Sequence, residues 1–356
     1  MGEARDSRLT QLLNAVRGRK NPFIQVHNNP DPDAIGSAVG LQALFKRFLN
    51  LDSRIVFGGI VGRAENRAML RLLEIHIVPA HKVDYDECDL LALVDTQPGL
   101  GHAAIPDNRV PEVVIDHHPP RSDPNDVLYW DVGRPYGATS TIVTELFLKN
   151  GVELRKDVAT ALLYGVKSDT HDLSDAATDE DLRAYTELIS HADTTILAKI
   201  ENAPVPPPYF AVFQRAIENA VVYDFACVSH LGKIDNPDMI AEMADFLMRC
   251  EDLRWTMVTG IYKDTLYLSL RSVDKNSHAG HVARRAVGKM GYAGGHGRMA
   301  GGQVRLGDLD KSTRRRTIDA VTDMFLDTVK AKRSLSHPLA DGVLPDETDT
   351  KGLIQE

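Results

Sequence analysis

Short apolar runs that end abruptly constrain this chain more than any other feature. Phe23-Ile24-Gln25-Val26 runs into His27, and Arg54 to Phe57 into Gly58-Gly59. Leu90 to Val94 runs into Asp95-Thr96, and Val113 to Ile115 into Asp116-His117-His118. Runs this short, rich in β-branched residues and bounded by turn formers, read as buried strands. Between and after them lie helical patterns at Ala38–Leu49, Thr141–Lys149 and Val158–Val166. Strands alternating with helices predict right-handed crossovers and a mainly parallel sheet. In such sheets ligands sit at the carboxyl ends of the strands. His27, Asp95 and Asp116 to His118 fall there.

The chain has 356 residues, enough for about two domains. A helical pattern continues over 179–200 and is followed by Ala203-Pro204-Val205-Pro206-Pro207-Pro208, which reads as a stiff connection. Strand-like runs then occupy 220–230 and 255–270. Helical patterns occupy 237–249, 283–290 and 317–332, and a glycine cluster occupies 291–302. The organisation expected is an N-terminal parallel-sheet domain over 1–200, a Pro-rich connection over 201–218, a smaller C-terminal α/β domain over 219–332 and a flexible tail over 333–356.

Charge and cysteine usage narrow the classes. The net charge is −9, which argues against coating long nucleic acid by bulk attraction. Yet Arg271 to Arg316 holds eleven Lys or Arg against three acidic residues, a basic segment on an acidic chain. Cys88, Cys227 and Cys250 lie far apart and form neither a disulfide framework nor a cysteine zinc site. Leu90 to Val94 is far shorter than the roughly 20 apolar residues of a membrane span. The start MGEARDSRLT lacks the apolar core of a signal peptide, so a cytoplasmic location is expected.

Four clusters carry chemistry. His27, Asp31 and Asp33 lie within seven residues after a strand, with Pro30 and Pro32 fixing the loop. Imidazole with carboxylate suits first-row divalent metals. Asp31 and Asp33, two apart in an extended segment, point toward different metals, whereas the plainer reading is a turn with Ser37 capping a helix. Asp95 ends the most apolar run and either bridges two metals or caps a turn. Asp116-His117-His118-Pro119 places adjacent histidines after a buried strand, one for metal and its neighbour for substrate. Asp169 ends a helical pattern. These groups suffice for two metals sharing a carboxylate, a pair that activates water and stabilises in-line phosphoryl displacement. Downstream, Gly294-Gly295-His296-Gly297-Arg298 with Arg271 offers backbone N–H groups, donors and a guanidinium for phosphate, aided by a following helix N-terminus. A turn with exposed basic residues is the alternative.

These motifs, in this order, resemble the DHH phosphoesterase family, from about Phe23 to about Arg305. His27-x-x-Pro-Asp31-x-Asp33-Ala-Ile-Gly36-Ser37 is similar to its first motif and Val94-Asp95-Thr96 to its second. Asp116 to Pro119 is similar to the third and Gly165 to Thr170 to the fourth, with Gly137 to Ser140 similar to a segment between them. The glycine cluster and Arg271 resemble the family's C-terminal substrate-binding domain. The resemblance implies one manganese on His27, Asp31 and Asp95. A second lies on Asp33, Asp95, His117 and Asp169, and the pair activates a hydroxide. His118 contacts the scissile phosphate and protonates the leaving oxygen, and Asp116 orients a histidine. Arg271, Gly294, Gly295, His296 and Arg298 bind substrate phosphate in a cleft between the domains.

The implied substrates are short oligoribonucleotides, dinucleotides and 3′-phosphoadenosine 5′-phosphate. Cyclic dinucleotides or a non-catalytic sensor role are the alternatives. No membrane partner and no stable long nucleic-acid complex are expected, and pairing into a homodimer is. Two features depart from the family pattern. Ala293 stands where a first glycine is usual, and Thr170-His171-Asp172-Leu173-Ser174 replaces a Gly-Gly-Phe-type stretch before a long helical insert.

Overall fold

A computed structural model describes residues 6–121, 126–174, 177–274, 276–307 and 309–341, with His296 and Asp341 described by their backbones. The chain divides into two units, Met1–Pro204 and Val205–Glu356.

The first unit contains strands β1 (Pro22–Gln25), β2 (Arg54–Phe57), β3 (Ile77–Pro79), β4 (Leu90–Val94), β5 (Val113–Asp116) and β6 (Tyr129–Val132). They form one parallel sheet in the order β3-β2-β1-β4-β5-β6. Its helices are α1 (Ser7–Val16), α2 (Pro32–Leu49), α3 (Ala64–Leu72), α4 (Thr139–Leu148), α5 (Lys156–Asp169), α6 (Asp179–His191) and α7 (Thr194–Glu201). The expected strands are present. β3 and β6 are additional: β3 is only three residues long and half-buried, and β6 reads Tyr-Trp-Asp-Val.

The order reverses between β1 and β4. β2 and β3 build outward from β1 on one side, and β4 returns to its other side. That is a switch point, where two crossovers diverge and open a crevice at the strand ends.

Helices α2, α4 and α5 pack closely behind this crevice. A Cβ on Gly36 would lie 2.5 Å from the Ala161 carbonyl oxygen, and one on Gly165 would lie 2.3 Å from Ser140 Oγ. These glycines let the helices approach until the carboxylates they carry converge.

The expected extended segment at Asp31–Asp33 is corrected. Asp31 is the N-cap of α2 and accepts from Ala34 N at 2.9 Å, with Pro32 opening the helix. Proline suits this position because its missing N–H would be unsatisfied anyway. The same effect corrects the Pro-rich connection: Pro207 and Pro208 begin helix α8 (Pro207–Glu218). The single helix expected over 179–200 is two, because Asp193 caps α7 through Ile196 N at 2.9 Å.

The second unit has strands β7 (Val221–Tyr223), β8 (Ala226–Lys233), β9 (Trp255–Tyr262), β10 (Thr265–Ser272), β11 (Gly291–His296), β12 (Met299–Arg305) and β13 (Ser336–Pro338). Their order is β11-β12-β10-β9-β8-β7-β13, antiparallel except for β8 with β9. Strand alternation sends Val228, Met257 and Leu268 to one face, under α10 (Ala279–Val287) and α11 (Lys311–Val329). It sends Cys227 and Val258 to the other, under α8 and α9 (Asp238–Leu247).

The tail is corrected in part. Ser336–Pro338 pairs with β7 as an edge strand, while 342–356 lie outside the described residues. Cys88, Cys227 and Cys250 are free thiols. Among the described residues no helix is long and apolar enough to cross a membrane.

Candidate metal centre

The crevice of the parallel sheet collects the polar residues that end its strands. His27 follows β1, Asp95 follows β4, and Asp116 closes β5 with His117 and His118 behind it. Asp31 and Asp33 come from the first turn of α2, and Asp169 from the last residue of α5.

Three overlapping groups of donors result: His27, Asp31 and Asp95; Asp33, His117 and Asp169; and Asp95, Asp116, His117 and His118. Asp95 joins them through both oxygens. Oδ2 lies 3.4 Å from His27 Nε2, and Oδ1 lies 3.8 Å from His117 Nε2. His27 Nε2 is also 3.5 Å from Asp31, and His117 Nε2 is 3.6 Å from Asp169.

The backbone fixes the imidazole tautomers. His27 Nδ1 lies 2.9 Å from the Asn28 carbonyl, and His117 Nδ1 lies 3.0 Å from the Tyr136 carbonyl. A carbonyl only accepts, so Nδ1 carries the hydrogen in each neutral ring. Nε2 is then the atom turned toward the carboxylates, and in the neutral ring it carries the lone pair a metal-ligating histidine offers.

His118 is held differently. Its Nδ1 donates to Asp116 at 2.8 Å, and the other Asp116 oxygen accepts from Gln97 Nε2 at 2.7 Å.

Thr139, at the start of α4, ties three of these groups together. Its N–H donates to Asp33 at 2.7 Å and its hydroxyl to Asp95 at 2.8 Å, and its Oγ1 accepts from His117 N at 3.2 Å. Ser140 N donates to the other Asp33 oxygen at 2.8 Å. A carboxylate at a helix N-terminus is favoured by the unpaired N–H groups there. Asp95 adopts φ 57°, a left-handed conformation uncommon outside glycine and often kept at functional positions.

The electrostatics call for cations. Burial, and then the charges of Asp95 and Asp31, push the Asp33 carboxyl well above its ordinary range. Burial and the charges of Asp31, Asp33 and Asp95 do the same to Asp169. Burial opposes a charge on His27, but Asp31 and Asp95 outweigh it and hold the ring protonated well above its usual range. His118 is raised to about 9, Asp116 and Asp95 overcoming its burial. Protons thus gather where positive charge is needed. Meanwhile His117 Nε2 is buried with no hydrogen-bond partner. An orphaned ring nitrogen among mutually repelling carboxylates fits a pair of divalent cations, and nitrogen with oxygen donors suits first-row metals.

In the second unit the glycine cluster is a hairpin of β11 and β12 turning at Gly297–Arg298, with His296 opposite Met299. The expected following helix N-terminus is corrected: α10 precedes the cluster, and its Ala279 N–H donates to the Gly297 carbonyl at 3.0 Å. Gly294 pairs with Gly301 and Gly295 with Ala300. Arg298 is exposed in the turn. The side chain of His296 lies outside the described residues. Arg271 grips Asp245 through Nε and through Nη2 at 3.3 Å, and donates to Ser269 Oγ at 2.7 Å.

Residues 22–166 match the model of the DHH family, N-terminal domain, and residues 220–323 match the DHHA1 domain. An uncharacterised protein of Methanocaldococcus jannaschii is 32% identical over 332 residues, 91% of this chain and 68% of that protein. The chain belongs to the DHH family of phosphoesterases. A probable manganese-dependent inorganic pyrophosphatase of Bacillus licheniformis is 32% identical over 168 residues, 47% of this DHH protein and 53% of the pyrophosphatase. The match spans about half the length of such relatives. In fold, this DHH protein is similar to an exopolyphosphatase-related protein from Bacteroides fragilis. The TM-score is 0.69 over 91% of this chain and 98% of that one, at 16% identity.

Thr139, Ser140 and Gln97 join the site of this DHH protein without the sequence marking them for it. Their signal was weak. Gly137 to Ser140 stood out as a segment, but a threonine opening a helix reads as a cap. Gln97 contacts Asp116 only because β4 and β5 are neighbours.

Proposed function

We propose that this protein is a manganese-dependent phosphoesterase that hydrolyses short oligoribonucleotides and dinucleotides, and 3′-phosphoadenosine 5′-phosphate as a further substrate. The observation that carries the reading is Asp95, whose two oxygens face two histidines belonging to two donor groups. In the proposed centre His27, Asp31 and Asp95 would hold one cation, and Asp33, Asp95, His117 and Asp169 the other. The metals would supply Lewis acidity toward a phosphoryl oxygen and lower the pKa of a nucleophilic water.

The chain's own groups do the rest. Thr139 and Ser140 fix the carboxylates before substrate arrives, so little reorganisation accompanies reaction. Asp116 orients His118 and favours its protonated form, which suits it to deliver a proton to the leaving oxygen. The basic segment from Arg271 to Arg316 supplies anion affinity. In particular, Gly294, Gly295, His296, Arg298 and Arg271 bind substrate phosphate in this reading. Arg271 exchanges part of its pairing with Asp245 for that purpose.

Pyrophosphate is the second reading, favoured by the likeness to pyrophosphatases. The test is product analysis with manganese and equal concentrations of phosphoadenosine phosphate, a short RNA ladder, linear and cyclic diadenylate, and pyrophosphate. Release of mononucleotides from linear dinucleotides and short RNA is the expected result. Turnover of pyrophosphate alone would replace this reading with the second. Stoichiometric binding without turnover would point to a nucleotide sensor.

A further inference from the structure

The face of the β11–β12 hairpin turned away from α10 and α11 carries a feature the metal chemistry does not use. On β12, Ala300 and Val304 face the core under α10 and α11, while Met299, Gly301, Gln303 and Arg305 are exposed. Strand register then defines cross-strand rows on that exposed face. Tyr292, Gln303 and Tyr267 form one, and Gly294, Gly301 and Ser269 the next; the β11 and β12 members lie open, while Tyr267 packs toward α8 and α9 and Ser269 is buried. Met299 and Arg271 come after it.

The glycines of this hairpin differ in what the fold requires of them. A Cβ on Gly291 would lie 1.9 Å from the Gln303 carbonyl oxygen, and one on Gly295 would lie 2.4 Å from that of Met299. Those positions must be glycine. Gly294 would meet nothing within 4 Å, and Gly301 only the Leu268 carbonyl oxygen at 3.6 Å. Neither adopts a positive φ. A glycine inside a strand weakens it, so one that neither packing nor backbone demands marks a place where a ligand comes close.

Beside this glycine floor, the Tyr292 side chain is 82% exposed. Neither its hydroxyl nor the Gln303 amide has a hydrogen-bond partner among the described residues. From the Gln303 row to the Met299–Arg271 row is four residues, about 13 Å at roughly 3.3 Å per residue. An exposed aromatic and an unused amide stand at one end of a bare floor, and the Arg271 guanidinium, paired with Asp245, stands at the other. That order matches base, sugar and phosphate.

We propose that this face is a nucleobase subsite. Tyr292 is the stacking platform, Gln303 the group that hydrogen-bonds the base edge, and Gly294 with Gly301 the floor beneath the sugar. The proposal rests on the nucleotide reading of the function and adds the residues that select for a base.

The test is calorimetric binding of AMP, with ribose 5-phosphate as the probe lacking a base, to the full-length manganese-loaded chain. Tyr292→Ala is expected to weaken AMP about ten-fold, the scale of base–aromatic stacking, with ribose 5-phosphate unchanged. Tyr292→Trp is expected to retain AMP binding. Gly301→Val, whose Cβ meets only the Leu268 carbonyl oxygen at 3.6 Å, is expected to weaken AMP by filling the floor. AMP affinity unchanged in both Tyr292→Ala and Gly301→Val would overturn the proposal. So would a change in self-association alone, since it would mean that another protein chain covers this face. Binding requires no turnover. If AMP affinity depends on Tyr292 in a protein that cleaves no oligonucleotide, the subsite stands and only the hydrolase reading falls.

Discussion

Thr139 donates its hydroxyl to Asp95 at 2.8 Å while its own N–H holds Asp33 at 2.7 Å, so one residue at the start of α4 sets the spacing of two carboxylates. Replacing it by valine keeps the N–H and the shape but removes the hydroxyl. Groups that orient metal ligands typically contribute 10–100-fold in affinity. Thr139→Val is therefore expected to weaken manganese binding by about ten-fold, read by calorimetry, and Thr139→Ser to restore most of it. Equal affinity in the valine variant would show that Asp95 is positioned by other contacts.

Asp95 belongs to both donor groups around His27 and His117. Asp95→Ala should abolish turnover and reduce bound manganese below the two equivalents expected of the intact protein, measured by elemental analysis after gel filtration. Turnover retained in that variant is incompatible with a shared carboxylate.

His118 is oriented through Nδ1 by the Asp116 carboxylate, where His27 and His117 are oriented through Nδ1 by backbone carbonyls. His118→Ala should lower kcat by about 10²–10⁴-fold, the usual weight of a general acid. Manganese content should stay intact. The loss should shrink for substrates with a p-nitrophenolate leaving group, which needs no proton. A uniform loss across leaving groups would assign His118 to binding instead.

The metal-free protein should lose stability as pH rises. Asp33 and Asp169 are raised in the fold, so above the ordinary carboxylate pKa the unfolded chain releases protons that the native state keeps. His27 and His118 are also raised, the latter to about 9. Their contribution is complete below the ordinary imidazole pKa and fades as pH climbs through the raised values. All four act in one direction between about pH 5 and 9. The Tm of chelator-treated protein should fall across that range, and the gap to manganese-loaded protein should widen. A Tm that rises with pH in the chelated sample would contradict this account.

Gly165 allows α5 to pass so close that an added Cβ would lie 2.3 Å from Ser140 Oγ and 3.0 Å from Asp33 Oδ1. Gly165→Ala should destabilise the protein by about 1–3 kcal/mol, the common cost of overpacking, and weaken manganese binding with it. Denaturant unfolding and a metal titration on the same samples check both.

The metal donors could be read from the chain because each follows a recognisable run: His27 after Phe23–Val26, Asp95 after Leu90–Val94, Asp116 after Val113–Ile115. What could not be read was geometry set by partners distant in sequence. Asp33 is buried only because α4 arrives from more than a hundred residues away to donate Thr139 N and Ser140 N. β6 is hard to read in the sequence because Asp131 interrupts its apolar pattern, although Arg134 pairs with that carboxylate in the fold. The glycine cluster read as an anion loop because composition does not distinguish a hairpin from a cradle. Only strand register shows that Gly294 faces Gly301. Pro207 and Pro208 misled for a related reason: proline forbids a helix interior and favours a helix start.

The switch point between β1 and β4 has a consequence for how this unit is held together. Its metal donors come from segments scattered between His27 and Asp169, and the three cysteines are unpaired. Cations bound there would tie together segments separated by long stretches of chain. Each such tie closes a loop whose entropy the unfolded chain would otherwise keep. The same ions that serve chemistry would act as the non-covalent cross-links of this unit, and stripping them would loosen its topology as well as silence its site.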